Sequence, residues 1–465
     1  MIVMKFGGTS VQDATAIRNA AQIVLRARAQ TPLVVVSACA GVTNALIRLA
    51  HKSAEGDLQE ALTIIGALRD RHNAMIDELF QIAQSHTRGE NNTLPELLHE
   101  QIARDCHKLE ELAQSLAVLK ELTPRTLDQI AAFGEQWSSL LLSSELLQRG
   151  VSTRLVDARK VLITDDAFTN AVPLIEITNA KAQEIFLPIL QKGTLVVTQG
   201  FIGATANGLT TTIGRGGSDY SAAIFGAALE AGEIQIWTDV DGILSADPSI
   251  LPEARRIKAM TFNEAAELAY FGAKVLHPST ILPAIKKNIP VRVLNSKRPA
   301  GEGTLITNTA PVHAQGIVKS IAYKERITVI NLRSTRMLMA PGYFARLFEV
   351  FATHKKSIGA IATSEVGVSL TVDDAGNLEN ILAELRQFAE VRCEPNRAVV
   401  CVVGEKLKST RGLVGRIFAA LDQVRVNVDL ISYGGSEINL TFVIDEAQIA
   451  TAIKRLHDEF FSDAP

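Results

Sequence analysis

Short apolar runs alternate with long helical patterns from Met1 to about Asn295, and this alternation narrows the fold more than any other property of the chain. Met1–Phe6, Leu33–Ser37, Thr153–Val156, Thr194–Gln199, Ile234–Thr238 and Pro290–Leu294 read as strands with little polar alternation. A strand has that composition when both faces of its sheet are covered. Helical patterns such as Val11–Gln30 and Asn263–Phe271 lie between them. The expectation is an α/β domain over 1–295, with a mainly parallel central sheet sandwiched between helical layers. Residues 44–122 read as nearly continuous helix, broken by a polar Gly/Asn/Pro stretch near Thr87–Pro95, and are expected to form a helical insertion beside the site.

Beyond a Gly/Pro-rich linker at 296–312, the chain repeats itself. Arg346-Leu-Phe348 matches Arg416-Ile-Phe418, Ile358 matches Val428, and Ser369-Leu-Thr371 matches Asn439-Leu-Thr441, each 70 positions apart. A constant offset over such a span means two copies of one unit. Each copy reads strand, Gly-containing loop, helix, strand, strand, helix: in the first, Ile327–Leu332, Gly342, Tyr343–His354, Ile358–Ala362, Val366–Val372 and Leu378–Phe388. That order predicts two ferredoxin-like βαββαβ modules, at 313–390 and 391–465, packed side by side, with 313–323 available to pair with the second.

Composition excludes several classes of function. A net charge of −3 with 5% aromatic residues offers neither a basic field nor a stacking surface for nucleic acid. No apolar run reaches membrane-spanning length, and no secretory signal is visible, so a cytoplasmic protein that binds no membrane is expected. Cys39, Cys106, Cys393 and Cys401 have no metal-binding spacing; they read as reduced thiols, and no protein metal site is expected.

Two glycine-rich segments carry the chemistry. In Lys5-Phe-Gly-Gly-Thr-Ser10, Gly7 and Gly8 follow a strand, where the backbone can approach a phosphate closely, and Thr9 or Ser10 can cap the next helix. Lys5 can then reach a transferred phosphoryl group; a tight strand–helix turn beside a solvated lysine is the plainer alternative. Thr210-Thr-Thr-Ile-Gly-Arg-Gly-Gly-Ser-Asp-Tyr220 combines three glycines with Arg215, whose planar fork suits a carboxylate. Ser218 or Asp219 is expected to cap a helix over Tyr220–Glu230, with Asp219 kept ionised at the helix start. The Ser37–Asn44 loop follows a buried strand, where open α/β sheets bind ligands. Glu135 stands on an otherwise apolar helix, as a ligand or as half of a structural ion pair.

KFGGTS, SACAGVTN, FGEQWSS, TTTIGRGGSDYSAA, WTDVDGI and YFGAKVLHP, in this order, resemble the aspartokinase family over essentially the whole chain, and the paired modules resemble tandem ACT domains. The resemblance implies an amino-acid-kinase-type sandwich that uses ATP with Mg²⁺ to phosphorylate the side-chain carboxylate of L-aspartate, the first step towards lysine, threonine and methionine. It implies that Lys5 stabilises the γ-phosphoryl group and Asp219 organises the centre. Arg215 and Glu135 would hold the substrate's carboxylate and amino group, with Thr43 and Ser218 completing its pocket. Gly7, Gly8, Ser10, Thr238, Asp239 and Lys274 would contact the nucleotide. Met337, Gly342, Tyr343, Phe344, Ile358, Ser364 and Glu365 match the effector-binding segments, which implies control by lysine or threonine, and pairing of the modules into a homodimer or homotetramer.

The chain also departs from the pattern of lysine-sensitive members. Leu244 and Ser249 stand where those members carry Tyr and Arg beside the nucleotide, and Arg255 or Arg256 are the candidate replacements. Gly359 stands where they carry Asp, while the second copy keeps Asp429 at the equivalent place. No GxGxxG follows a strand, so no fused dehydrogenase is expected. The rival readings are a kinase of the same fold acting on glutamate or N-acetylglutamate, and a catalytically inactive amino-acid sensor.

Overall fold

The computed structural model describes residues 1–80, 93–271, 278–309, 316–334, 341–373, 376 and 378–462. Lys274 and Met337 lie outside the described residues. The chain divides into two compact units, Met1–Gly242 with Leu276–Asn308, and Ile243–Val275 with Thr309–Pro465.

Numbered along the chain, the first unit carries strands β1 (Ile2–Phe6), β2 (Pro32–Val36), β3 (Thr153–Val156), β4 (Ile163–Thr164), β5 (Leu195–Gln199), β6 (Ile202–Thr205), β7 (Thr210–Thr212), β8 (Glu233–Thr238), β10 (Val291–Asn295) and β11 (Thr304–Thr307). Seven of them lie in the order β3-β5-β2-β1-β8-β10-β11. Of these pairings only β10–β11 is antiparallel. Every residue of β1, β2 and β5 is buried, which accounts for their unbroken apolar composition. A small second sheet, β4-β6-β7, went unread in the sequence, because strands of two to four residues are too short to display a period.

Helices α1 (Ala14–Arg26), α2 (Val42–Ala54), α3 (Leu58–Phe80), α4 (Leu94–Leu119), α5 (Pro124–Ala131), α6 (Phe133–Gln148), α7 (Ile175–Gln191), α8 (Gly217–Ala228) and α10 (Leu282–Lys287) complete this unit. Two expected caps are corrected. Neither Thr9 nor Ser10 caps α1; a 3-10 turn over Gly8–Val11 intervenes, and the Asp13 carboxylate accepts from the Ala16 N–H instead. Neither Ser218 nor Asp219 caps α8, which starts earlier than expected behind Gly216, so both residues sit inside its first turn.

The second unit holds β9 (Ala259–Thr261), α9 (Phe262–Tyr270) and an antiparallel sheet. Its strands are β12 (Val318–Arg333), β13 (Ile361–Thr363), β14 (Gly367–Val372), β15 (Glu390–Gly404), β16 (Leu430–Ser432) and β17 (Asn439–Asp445), in the order β13-β14-β12-β15-β17-β16. Long β12 and β15 pair with each other over nearly their whole lengths, with register shifts between Lys324 and Val329. One continuous sheet therefore serves both modules. The helices are α11 (Tyr343–Thr353), α12 (Leu378–Leu385), α13 (Leu413–Gln423) and α14 (Ile449–Phe461). α11 and α13 begin and end 70 residues apart, each behind a left-handed glycine, Gly342 or Gly412, so the sequence repeat is also a structural one.

Candidate active site

β1 ends in the middle of its sheet and delivers Lys5 there with 8% exposure. An unpaired ammonium at that depth would be costly. Its Nζ lies 2.7 Å from Asp219 Oδ1, in the first turn of α8, where the positive end of the helix dipole attracts negative charge. Lys5 is therefore paired, and the solvated-lysine alternative falls.

The loop after β1 is fixed from both sides. The Gly7 N–H donates to the Trp237 carbonyl at 2.9 Å. A Cβ on Gly8 would lie 2.9 Å from the Ala38 carbonyl oxygen, so the close approach of the 38–40 loop requires glycine there. The Ser10 hydroxyl, freed from capping, donates to the Trp237 carbonyl at 3.2 Å and lies 2.7 Å from Ser296 Oγ. Ser296 in turn donates from Oγ to the Thr238 carbonyl at 3.0 Å. The turn after β1 and the C-terminal ends of β8 and β10 are thus joined through two hydroxyls. Thr238 is half-buried and Asp239 exposed beside it, with the Thr238 hydroxyl donating to Asp239 Oδ1.

Glu135 enters from the first turn of α6 and is 3% exposed. Its Oε1 accepts from the Ala38 N–H at 3.2 Å, while Oε2 is buried without a hydrogen-bond partner. Among the described residues Glu135 forms no ion pair, so the structural ion-pair alternative falls as well. Desolvation pushes its pKa up to about 8, against the opposing pull of the Ala38 N–H.

A cavity of about 260 Å³ brings Lys5, Thr43, Glu135, Ser218 and Asp219 together, with Ser37, Ala38, Phe201, Gly216 and Gly217 in its walls. Arg215 is not part of that wall. It is exposed at the tip of the 213–217 loop, and its guanidinium forms no hydrogen bond or ion pair among the described residues. Phe201 and Ser296 were missed in the sequence. Ser296 directly follows the C-terminal end of β10 and Phe201 lies two residues past that of β5, the region in which open α/β sheets place ligand-binding residues.

The family model "Amino acid kinase family" matches residues 1–295, and an ACT domain model matches residues 400–460. The chain is 38% identical to lysine-sensitive aspartokinase 3 of Escherichia coli (strain K12), over 99% of both chains. The chain belongs to the aspartokinase family. Aspartokinase 1, chloroplastic, of Arabidopsis thaliana is 36% identical over 99% of this chain and 80% of its own length. Among solved aspartokinases, E. coli aspartokinase III in complex with aspartate and ADP superposes with a TM-score of 0.82 at 36% identity, covering 99% of this chain and 100% of that one. The same enzyme with lysine and aspartate gives 0.80. The fold expected from the sequence, an amino-acid-kinase sandwich followed by ACT-type modules, is the fold of this aspartokinase chain.

The departures from the lysine-sensitive pattern fall in the second unit. The Ser249 N–H and hydroxyl both bond Asp247 Oδ1, closing a local turn. Leu244 forms an isolated antiparallel bridge with Arg256. Of the matched effector segment, Tyr343 is buried edge-on against Phe388, while Phe344, Ser364 and Glu365 are exposed. Ile358, expected within a strand, precedes β13 and packs against the module core.

Proposed function

We propose that the chain transfers the γ-phosphoryl group of ATP to the side-chain carboxylate of L-aspartate, giving 4-phospho-L-aspartate and ADP, the first step towards lysine, threonine and methionine. The observation that carries this reading is the unpartnered, buried Oε2 of Glu135 in the same cavity as the Lys5–Asp219 pair. The cavity offers both an acceptor for an ammonium group and a cation for a phosphoryl group. That pair suits an amino acid whose second carboxylate is the nucleophile.

A carboxylate needs no general base. One of its oxygens forms the new bond to phosphorus, the bond to the ADP oxygen breaks, and ADP leaves with that electron pair. Catalysis is then a matter of alignment and of offsetting negative charge. Lys5 supplies charge to the transferred group, and Asp219 holds Lys5 in place. Glu135 takes the substrate's amino group, Arg215 its α-carboxylate, and Thr43 and Ser218 line its pocket. Gly7, Gly8 and Ser10 leave room for phosphates, Thr238 and Asp239 face the nucleotide, and Lys274 is assigned to its phosphates.

Mg²⁺ would supply further charge neutralisation when bound with the nucleotide. Among the described residues no group of three His, Cys, Asp or Glu side chains is placed to hold a metal. The ion would be carried chiefly by phosphate oxygens and water, with Asp219 as the carboxylate at hand.

Amino-acid control is assigned to the C-terminal modules, with lysine the first candidate and threonine the second. Phe344 and Phe348 on α11, and Ile431 and Tyr433 near β16, are large apolar side chains left exposed, which supports a homodimer or homotetramer formed through the modules. Four free cysteines suit the cytoplasm.

ADP release with L-aspartate, L-glutamate and N-acetyl-L-glutamate, with the acyl phosphate trapped by hydroxylamine, tests the reading. Turnover with L-aspartate is expected. Preference for either of the other acids, or no turnover at all, overturns it.

A further inference from the structure

We propose that Asp128, which does not line the cavity, is a positioning residue for the 213–217 substrate loop and acts on it through Thr212 and Thr169. The inference rests on the functional reading above.

Asp128 lies on α5 and is 1% exposed. Its Oδ2 accepts from the Thr169 N–H at 2.8 Å and the Thr212 N–H at 2.9 Å, and its Oδ1 accepts from the Thr212 hydroxyl at 2.6 Å. One carboxylate thereby ties α5 to two segments far from it in sequence. Thr212 ends β7 and is the last residue before the loop that carries Arg215 and leads into α8. Thr169 belongs to the turn that flanks that loop.

The same turn is braced in other ways. Asp165 Oδ1 accepts from the N–H groups of Ala167 and Val172, and the Ala171 N–H donates to the Thr212 carbonyl at 2.9 Å. Thr169 itself has φ 70°, a left-handed conformation that a β-branched residue adopts only when its surroundings enforce it. The bond to Asp128 is one such constraint. Next to Thr169, Asn170 packs directly on the loop: a Cβ at Gly214 would lie 2.5 Å from Asn170 Oδ1. Asp128 thus fixes both the strand that enters the loop and the turn that supports its first glycine.

A purely structural role explains the carboxylate less well. α5 already has its own cap, since the Thr123 hydroxyl accepts from the Thr126 N–H. Among the described residues Asp128 has no ion pair, and burial pushes its pKa up although all three hydrogen bonds oppose that shift. A buried carboxylate without a cation is an expensive way to join segments that hydroxyls could join. Its geometry converges on the loop assigned to the aspartate carboxylate, and it bonds neither Lys5 nor the Ser10–Ser296 link on the nucleotide side.

The test is steady-state kinetics on the full chain for Asp128→Ala, Asp128→Asn and Thr212→Val, with aspartate and ATP varied in turn. Asp128→Ala should raise the KM for aspartate by about tenfold or more while leaving the KM for ATP within about twofold, because bonds to a charged acceptor are lost on the substrate side only. Asp128→Asn keeps an oxygen for the two N–H groups and turns an amide towards the Thr212 hydroxyl, so it should restore most of the loss. Thr212→Val removes one bond and should show a smaller rise in the same constant, which decides the matter if Asp128→Ala does not fold. Equal rises in both KM values, or a lowered melting temperature with an unchanged KM for aspartate, overturns the proposal. Absence of aspartate-dependent turnover in the parent chain overturns the functional reading and the proposal with it.

Discussion

The Lys319 ammonium lies 3.0 Å from a Glu264 carboxylate oxygen, and the two side chains are 5% and 0% exposed. The same oxygen, Oε2, accepts from the Thr261 N–H and hydroxyl at the start of α9, so one atom caps a helix and anchors β12. Its neighbour Oε1 is buried without a hydrogen-bond partner.

Removing one member of a buried pair strands the other charge. Lys319→Met is therefore expected to lower the unfolding free energy by about 3–5 kcal/mol. Lys319→Met with Glu264→Gln should recover a good part of that loss, since no charge is then left buried. Urea denaturation of the three proteins checks both statements. A single-variant loss below about 1 kcal/mol would contradict the burial on which they rest.

Lys5 makes the second prediction. Lys5→Met keeps most of the apolar stem and removes the charge beside Asp219. Loss of one group aimed at developing negative charge lowers kcat by about 10²–10³-fold. Activity within tenfold of the parent would remove Lys5 from the role given to it.

Glu135 gives a pH dependence whose sign can be worked out. Its folded pKa is pushed up to about 8 from an ordinary 4.5, so between about pH 4.5 and 8 the free protein holds a proton there that the unfolded chain releases. Stability from this group is complete below about pH 4.5 and declines as the pH rises towards 8. The substrate ammonium favours the ionised form, so below about pH 8 binding must expel the proton. The KM for aspartate should fall as the pH is raised from about 6 to 8, by up to tenfold per unit. Glu135→Gln should flatten that slope and raise the KM. A parental KM independent of pH over this range would show that Glu135 does not meet the ammonium.

Much of the architecture was legible in the sequence because the central strands are buried on both faces and carry that burial as composition. The repeat was legible because both copies keep their helices and glycines in step. The sequence also marked Lys5 and Asp219, but not their contact, which is made only when β1 and α8 meet. Arg215 was legible as a residue type, yet its exposed place at the loop tip was not. Asp128 carried no signal of its own, and Ser296 only its place just after a strand. Each works through backbone groups of distant segments, and only the assembled sheet brings those within reach. The caps were misread for a related reason. Ser10 has the right chemistry for a cap, but the Trp237 carbonyl and Ser296 compete for its hydroxyl.

The last prediction concerns Gly359, which replaces an aspartate that would pair with an effector ammonium. Its φ is not in the left-handed region, so the backbone accepts a side chain. The obstacle is local: a Cβ there would lie 2.6 Å from Thr371 Oγ1, which accepts the Ala360 N–H at 2.8 Å. The second copy is arranged differently: the Asp429 N–H donates to the Val443 carbonyl at 2.9 Å, and its carboxylate pairs with Arg397 at 2.8 Å. Gly359→Asp alone should therefore displace Thr371 and destabilise the first module by about 1 kcal/mol, the worth of one hydrogen bond. Adding Thr371→Ala clears the space. Relative to Thr371→Ala, the double variant should bind lysine about five- to 150-fold more tightly, which corresponds to about 1–3 kcal/mol for one charged pairing. Lysine inhibition curves and direct calorimetric binding for both variants measure it. Equal affinity in the two would mean that the lysine ammonium does not reach position 359, and that the missing carboxylate leaves control unchanged.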